Sequence, residues 1–136
     1  MSAATARAPR RAAVVSDSDG CSVRVIDADR VAATRPRVLD AAASADVAGL
    51  FRLLGDPGRV RMLSALSEAG ELCVCDLAAV VDMAESTVSH SLRLLRTAGV
   101  VRHRRAGRQV FYRLDDAHVR LLLDLSIEHV RHGGEQ

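Results

Sequence analysis

Residues 85–114 read ESTVSHSLRLLRTAGVVRHRRAGRQVFYRL, and the hydrophobic period changes partway along them. Val88, Leu92 and Leu95 recur at helical spacing as far as Gly99, which suits a helix stop. Beyond Gly99, apolar and basic residues flank RAGR in the manner of two short strands joined by a turn. The stretch is therefore a helix followed by a hairpin, and the helix is fronted by short polar side chains.

Working outward, the flanking segments also have helical spacing. DVAGLFRLLG (46–55) puts Val47, Leu50, Phe51 and Leu54 on one face. DPGRVRMLSALSEAG (56–70) opens with Asp56 as cap and Pro57 at the first helical position, buries Val60, Leu63 and Leu66, and stops at Gly70. DLAAVVDM (76–83) is a short helix with Leu77, Val80 and Val81 inward. DDAHVRLLLDLSIEHVRH (115–132) is a capped amphipathic helix with Val119, Leu122, Leu123, Ile127 and Val130 on one side. Pro36 interrupts helix-forming composition in residues 27–43.

The order is helices, helix-turn-helix, β-hairpin, helix. That defines a mainly α fold with a small β-hairpin, a winged helix-turn-helix. Residues 1–26 are expected to be a flexible arm without regular structure, 27–132 the folded domain, and 133–136 a tail.

The chain has 136 residues, enough for one domain. Only 2% of it is aromatic, so the core is aliphatic and thin, and gains from pairing with a second copy. Three cysteines do not fit a secreted disulfide framework. Residues 1–15 hold three arginines and no acid but no clear apolar segment or cleavage site, so they are read as a basic arm rather than a targeting signal. No apolar run approaches the roughly 20 residues that span a bilayer. The expectation is a soluble, cytoplasmic protein without membrane contact.

A formal charge of +2 is slight, so nucleic-acid affinity depends on where the arginines sit. Ser86, Thr87, Ser89, His90 and then Arg93 face outward, as a helix entering the major groove requires. Alone this pattern also fits a solvated helix face with capping Ser and Thr. The hairpin decides between them. From Arg102 to Arg113 there are five arginines, one histidine and no acid. A one-sign hairpin beside a polar-fronted helix is an electrostatic footprint for phosphate. Arg104, Arg105 and Arg108 at the hairpin tip are the expected backbone or minor-groove contacts.

Two further clusters suggest metal. ELCVCDLA (71–78) sets Cys73 and Cys75 one residue apart. A disulfide at that spacing is strained, and inert buried thiols are the plain alternative. The spacing also lets two thiolates reach one ion at a helix start. The last helix carries Asp116, His118, His129 and His132. His118 and His129 are about 16 Å apart along it, too far for one ion. Eleven residues nearly complete three turns, so two copies packed antiparallel would bring Asp116 and His118 against His129 and His132. Solvated histidines with Asp116 as a simple cap are the alternative.

STVSHSLRLLRTAGVV followed by AGRQVFYRL resembles the ArsR/SmtB family of dimeric winged-helix repressors, from about Val47 to His132. The resemblance implies a homodimer on an imperfect operator palindrome in double-stranded DNA, released when an inducer, usually a metal ion, binds. ELCVCDLA is similar to the signature of the thiolate-sensing members, nearest to the cadmium/lead-sensing branch. There an N-terminal arm brings further sulfur from the partner subunit, and Cys21 is the matching residue. Val25 stands where that branch has a second arm cysteine, and Ala78 and Ala79 where some arsenite sensors place a third sulfur.

The implied thiolate site is Cys21, Cys73 and Cys75, suited to Pb(II) or As(III), and to Cd(II) or Zn(II) with an added ligand. The arrangement of Asp116, His118, His129 and His132 resembles the family's zinc/cobalt site. The expected function is a metal-responsive repressor that holds its operator in the apo form and is released by Cd(II), Pb(II) or Zn(II). An arsenite or antimonite response, a thiol-redox switch and a purely structural metal are the alternatives. No Gly-rich loop, nucleophile elbow or HExxH pattern is present, so neither an enzyme nor a small organic substrate is expected.

Overall fold

A computed structural model of the chain describes residues 13–16 and 22–134, with side chains from residue 24 onward. The chain forms two compact units, one through Ser44 and one from Ala45.

In the first unit, β1 (Ala13–Ser16) and β2 (Ser22–Val25) pair antiparallel, with Ala13 opposite Val25. This corrects the expectation of an arm without regular structure at those positions. Strands of four residues are too short for an alternating pattern to stand out. Cys21 lies outside the described residues. Helix α1 (Ala28–Thr34) opens where Asp27 Oδ1 accepts the Arg30 N–H at 3.0 Å. It runs into a 3-10 turn, Arg35–Arg37, at Pro36, which is where the ring was expected to interrupt the helix.

Helix α2 (Ala41–Leu54) bridges the boundary between the units and begins earlier than its apolar face suggested. The Asp40 carboxylate accepts the Ala43 N–H at 2.8 Å and supplies the start signal. The second unit continues with α3 (Pro57–Ala69), capped by Asp56, whose Oδ2 accepts the Arg59 N–H at 3.0 Å. Gly70 ends α3 at φ 81°, a conformation that suits glycine.

A two-residue strand, β3 (Leu72–Cys73), leads directly into α4 (Val74–Val81). The left-handed Asp82, φ 54°, closes α4 and turns the chain into α5 (Glu85–Thr97). The hairpin follows as β4 (Val101–Ala106) and β5 (Gln109–Leu114), and α6 (Ala117–Gly133) completes the chain. The sheet order is β3-β5-β4, so β3 joins the wing on the side away from β4.

The core gathers Met62, Leu63 and Leu66 from α3, Leu77 and Val81 from α4, Val88, Leu92 and Leu95 from α5, and Val119 and Leu123 from α6. Leu66, Leu77 and Leu92 are fully excluded from solvent. Burying such a side chain contributes about 1.5–3 kcal/mol, which is how a nearly aromatic-free core holds together. One inward expectation is corrected. Val80 is 58% exposed and Ala78 is buried instead. Val80 lies roughly 100° round the helix from the stripe of Leu77, Ala78 and Val81. On α6, Val130 shares one side with Val119, Leu122, Leu123 and Ile127 as expected, and is 74% exposed because the helix runs beyond the core there. No helix among the described residues is long and apolar enough to cross a membrane.

Candidate functional site

The thiol pair sits at the junction of β3 and α4. Cys73 is buried and Cys75 exposed, and their Sγ atoms stand 3.2 Å apart. Asp76, in the first turn of α4, adds a carboxylate 4.0 Å from Cys75 Sγ. Among the described residues, Cys73, Cys75 and Asp76 form the group of three metal-ligating side chains, with donor atoms all within 4.8 Å of one another. The backbone amide of Asp76 favours the Cys73 thiolate. The Cys75 sulfur, burial and the Asp76 carboxylate outweigh it, and the Cys73 thiol stands above its ordinary value. A bound cation would reverse that balance, because a coordinating thiol is deprotonated.

Two soft sulfurs and one carboxylate fit a soft or borderline divalent cation. They are three donors of the four that such ions commonly take. Sequence reasoning passed over Asp76. Its signal was present, an acid directly after the second cysteine, in a turn where the helix dipole favours negative charge.

The second set lies along α6. Asp116 Oδ1 accepts the His118 N–H at 2.7 Å and lies 3.1 Å from His118 Nδ1. The backbone amide of His118 is the main cause that holds the Asp116 carboxyl below its usual range. His132 Nε2 is 3.6 Å from Glu128 Oε1. His118, Glu128 and His132 are well solvated, with the His118 side chain 98% exposed, and Asp116 is half-buried. Within one chain the structure does not bring Asp116 and His118 to His129 and His132, which occupy opposite ends of α6.

The polar front of α5 is open. Ala84 caps the helix without a side-chain bond, so Ser86 and Thr87 are exposed and not spent as caps. Ser89 is half-buried, and His90 and Arg93 are exposed. The hairpin turns at Gly107, φ 61°, with Arg105 before it and Arg108 after it, both exposed. Arg104 sits in mid-strand rather than at the tip.

The wing's single sign is softened by acids that lie outside it in sequence. Arg102 Nη2 lies 2.9 Å from Asp115 Oδ1. Arg104 Nε donates to both carboxylate oxygens of Glu71, at 2.9 and 3.0 Å, and its Nη2 donates to Oε1 as well. The Arg104 guanidinium also lies 4.7 Å over the Phe111 ring. The hydrogen bonds from Arg104 are the main cause that depresses the Glu71 carboxyl below its ordinary value, and the Arg104 guanidinium rises in return. Arg105 and Arg108 have no ion pair among the described residues.

A groove of about 460 Å³ runs between α2, α3 and α6, lined by Phe51, Leu54, Val60, Leu63, Leu122 and Ile127 among others. Val47, Leu121 and Leu125, on the same helices, are also more than 40% exposed.

Residues 56–103 match the family described as bacterial regulatory protein, arsR family. A transcriptional repressor SmtB homolog from Synechocystis sp. is 40% identical over 111 residues, covering 82% of this chain and 83% of the relative. A cadmium resistance transcriptional regulatory protein CadC homolog from Staphylococcus aureus is 40% identical, covering 83% and 93%. Among solved structures, the homodimeric winged helix-turn-helix DNA-binding domain of a possible ArsR-family transcriptional regulator from Mycobacterium bovis is similar. It is 31% identical with a TM-score of 0.60, and the match covers 68% of this chain and 88% of that one.

Proposed function

Because this chain belongs to the ArsR family of bacterial regulatory proteins, DNA-binding regulators rather than enzymes, we propose that it is a metal-responsive transcriptional repressor whose inducer is held by Cys73 and Cys75. One observation carries the reading. Two thiols and a carboxylate meet where β3 passes into α4, and one of them, Cys73, belongs to the same small sheet as the wing.

The dimer grips operator DNA with α5 in the major groove and Arg105 and Arg108 of the wing on the backbone. The second copy covers the groove between α2, α3 and α6. The exposed Phe51 and Val130 that line that groove support this reading, and so does the similar homodimeric domain. Cys21 from the arm is the expected further sulfur at the thiolate site. Cd(II), Pb(II) and Zn(II) suit this donor set, as does As(III) for three sulfurs. Asp116 and His118 of one protomer with His129 and His132 of its partner would hold a second, harder ion. Asp116 Oδ1 is already used by the His118 amide, which leaves Oδ2 for it.

A coupling of about 1–3 kcal/mol, the usual range between two sites, weakens operator affinity about 5–150-fold. Thiolate coordination is worth roughly 10 kcal/mol or more in small metal proteins, so the donors suffice. By linkage, operator DNA weakens metal binding by the same factor.

The test is operator-binding titration with Cd(II), Pb(II), Zn(II) and As(III) under reducing conditions. Wild type is compared with Cys73→Ser/Cys75→Ser and His129→Ala/His132→Ala. The thiol variant is expected to stay on DNA at Cd(II) concentrations that release wild type. If both double variants release as wild type does, the sensing assignment is wrong.

A further inference from the structure

The sheet that carries Cys73 also carries the wing, and the two are linked by more than backbone. In register, Cys73 of β3 pairs with Phe111 of β5, and Phe111 pairs with Arg104 of β4. The side chains repeat the path. Glu71, two residues before Cys73, holds the Arg104 guanidinium through three hydrogen bonds, and the same guanidinium lies over Phe111. A bidentate arginine–carboxylate pair fixes orientation as well as distance.

We propose that Glu71 is a positioning residue for DNA binding, and that the Glu71–Arg104 pair is the lever that carries occupancy of the thiolate site to the wing. The inference rests on the sensing role of Cys73 and Cys75 proposed above. At 3.2 Å the two sulfurs stand closer than two ligands of a tetrahedral ion. Two thiolates on one tetrahedral centre with bonds near 2.3 Å stand roughly 3.8 Å apart. A tetrahedral ion would therefore draw Cys73 and Cys75 apart on loading.

Cys75 is exposed and belongs to a helix, whereas Cys73 is buried on a strand only two residues long. The short strand is the softer partner, and Glu71 at its head moves with it. Arg104 follows Glu71, and the strand that bears Arg104 also bears Arg105 next to the tip. Glu71 thus sets the attitude of the wing when the thiols are free and shifts it when they are engaged. Phe111, between the two, lies 4.7 Å from the guanidinium and backs it, so the movement passes along the wing instead of dissipating in a loose side chain.

The experiment is fluorescence-anisotropy titration of full-length protein on its operator, with and without Cd(II) under reducing conditions. Wild type, Glu71→Gln, Arg104→Gln and the double variant are compared. Cd(II) binding is read separately from thiolate-to-metal absorption, which a lever residue leaves unchanged. Wild type is expected to lose about 5–150-fold in operator affinity on loading, the usual range of coupling. Each single variant should bind Cd(II) as wild type does yet lose only about threefold or less in operator affinity. The double variant should respond like either single one, because a pair that acts as a unit is lost once.

If Glu71→Gln binds Cd(II) and releases DNA as fully as wild type, the lever is refuted while the thiolate sensor stands. A wild-type protein that binds Cd(II) and keeps its operator refutes both. Additive losses in the double variant also refute the lever, since the two residues would then act separately.

Discussion

Arg102 and Asp115 are joined by an ion pair of 2.9 Å that ties the foot of the wing to the residue before the cap of α6. Arg102 therefore meets an acid of its own chain, whereas Arg105 and Arg108 meet none among the described residues. The wing divides into arginines that brace it and arginines free to meet phosphate.

That division is measurable through salt. Arg105→Ala and Arg108→Ala should each weaken binding to all DNA sequences alike. Each should lower the slope of log affinity against log salt by about 0.9 for every phosphate the arginine neutralises, or about 1.8 in a dimer. Arg102→Ala should leave the slope nearly unchanged. A slope change for Arg102 as large as that for Arg108 would show that the Asp115 pair yields to phosphate.

Val130 offers a clean probe of assembly, because it is 74% exposed yet lines the apolar groove. In an isolated protomer, Val130→Asp costs little, since the new charge stays in water. Across an interface with a second copy it is buried without a partner, and should weaken the dimer by several kcal/mol. Sedimentation should find Val130→Asp as a folded monomer at concentrations where wild type is paired. A variant that still dimerises fully would place the interface elsewhere.

The Glu71 carboxyl should titrate below its ordinary value of 4.5 in metal-free protein, as followed by carbon NMR. Its folded-state pKa is depressed, so the contribution of the pair is present above 4.5 and is lost as pH falls through the lower folded value. Arg104→Gln should bring the titration back up toward 4.5, because the Arg104 hydrogen bonds are the leading cause of the shift. An unmoved titration would mean that the pair is absent in solution.

Much of the fold is legible in periodicity. Val88, Leu92 and Leu95 announce α5, and Asp56 with Pro57 announces α3 to the residue. The hairpin around Gly107 follows from the change of period. What sequence withholds is long-range or too short to show a pattern. Glu71 and Arg104 lie 33 positions apart, and no local spacing pairs them. The two-residue strand β3 has no period, yet it fixes Cys73 to the wing. Val80 is as apolar as Val81, and only the packing of α4 on α3 and α5 exposes one and buries the other. The cysteine pair was legible as a pair of donors, while Asp76 needed the first turn of α4 to bring its carboxylate near them.

The brevity of β3 has a dynamic consequence. A strand of two residues at a sheet edge can detach at the cost of a few hydrogen bonds, leaving the helices around Leu66 and Leu92 intact. Amide hydrogens at Leu72 and Cys73 should exchange with solvent far sooner than those in the middle of α5. Cys73 thus rides on a short edge strand that opens locally, so access for an incoming ion does not wait on global unfolding.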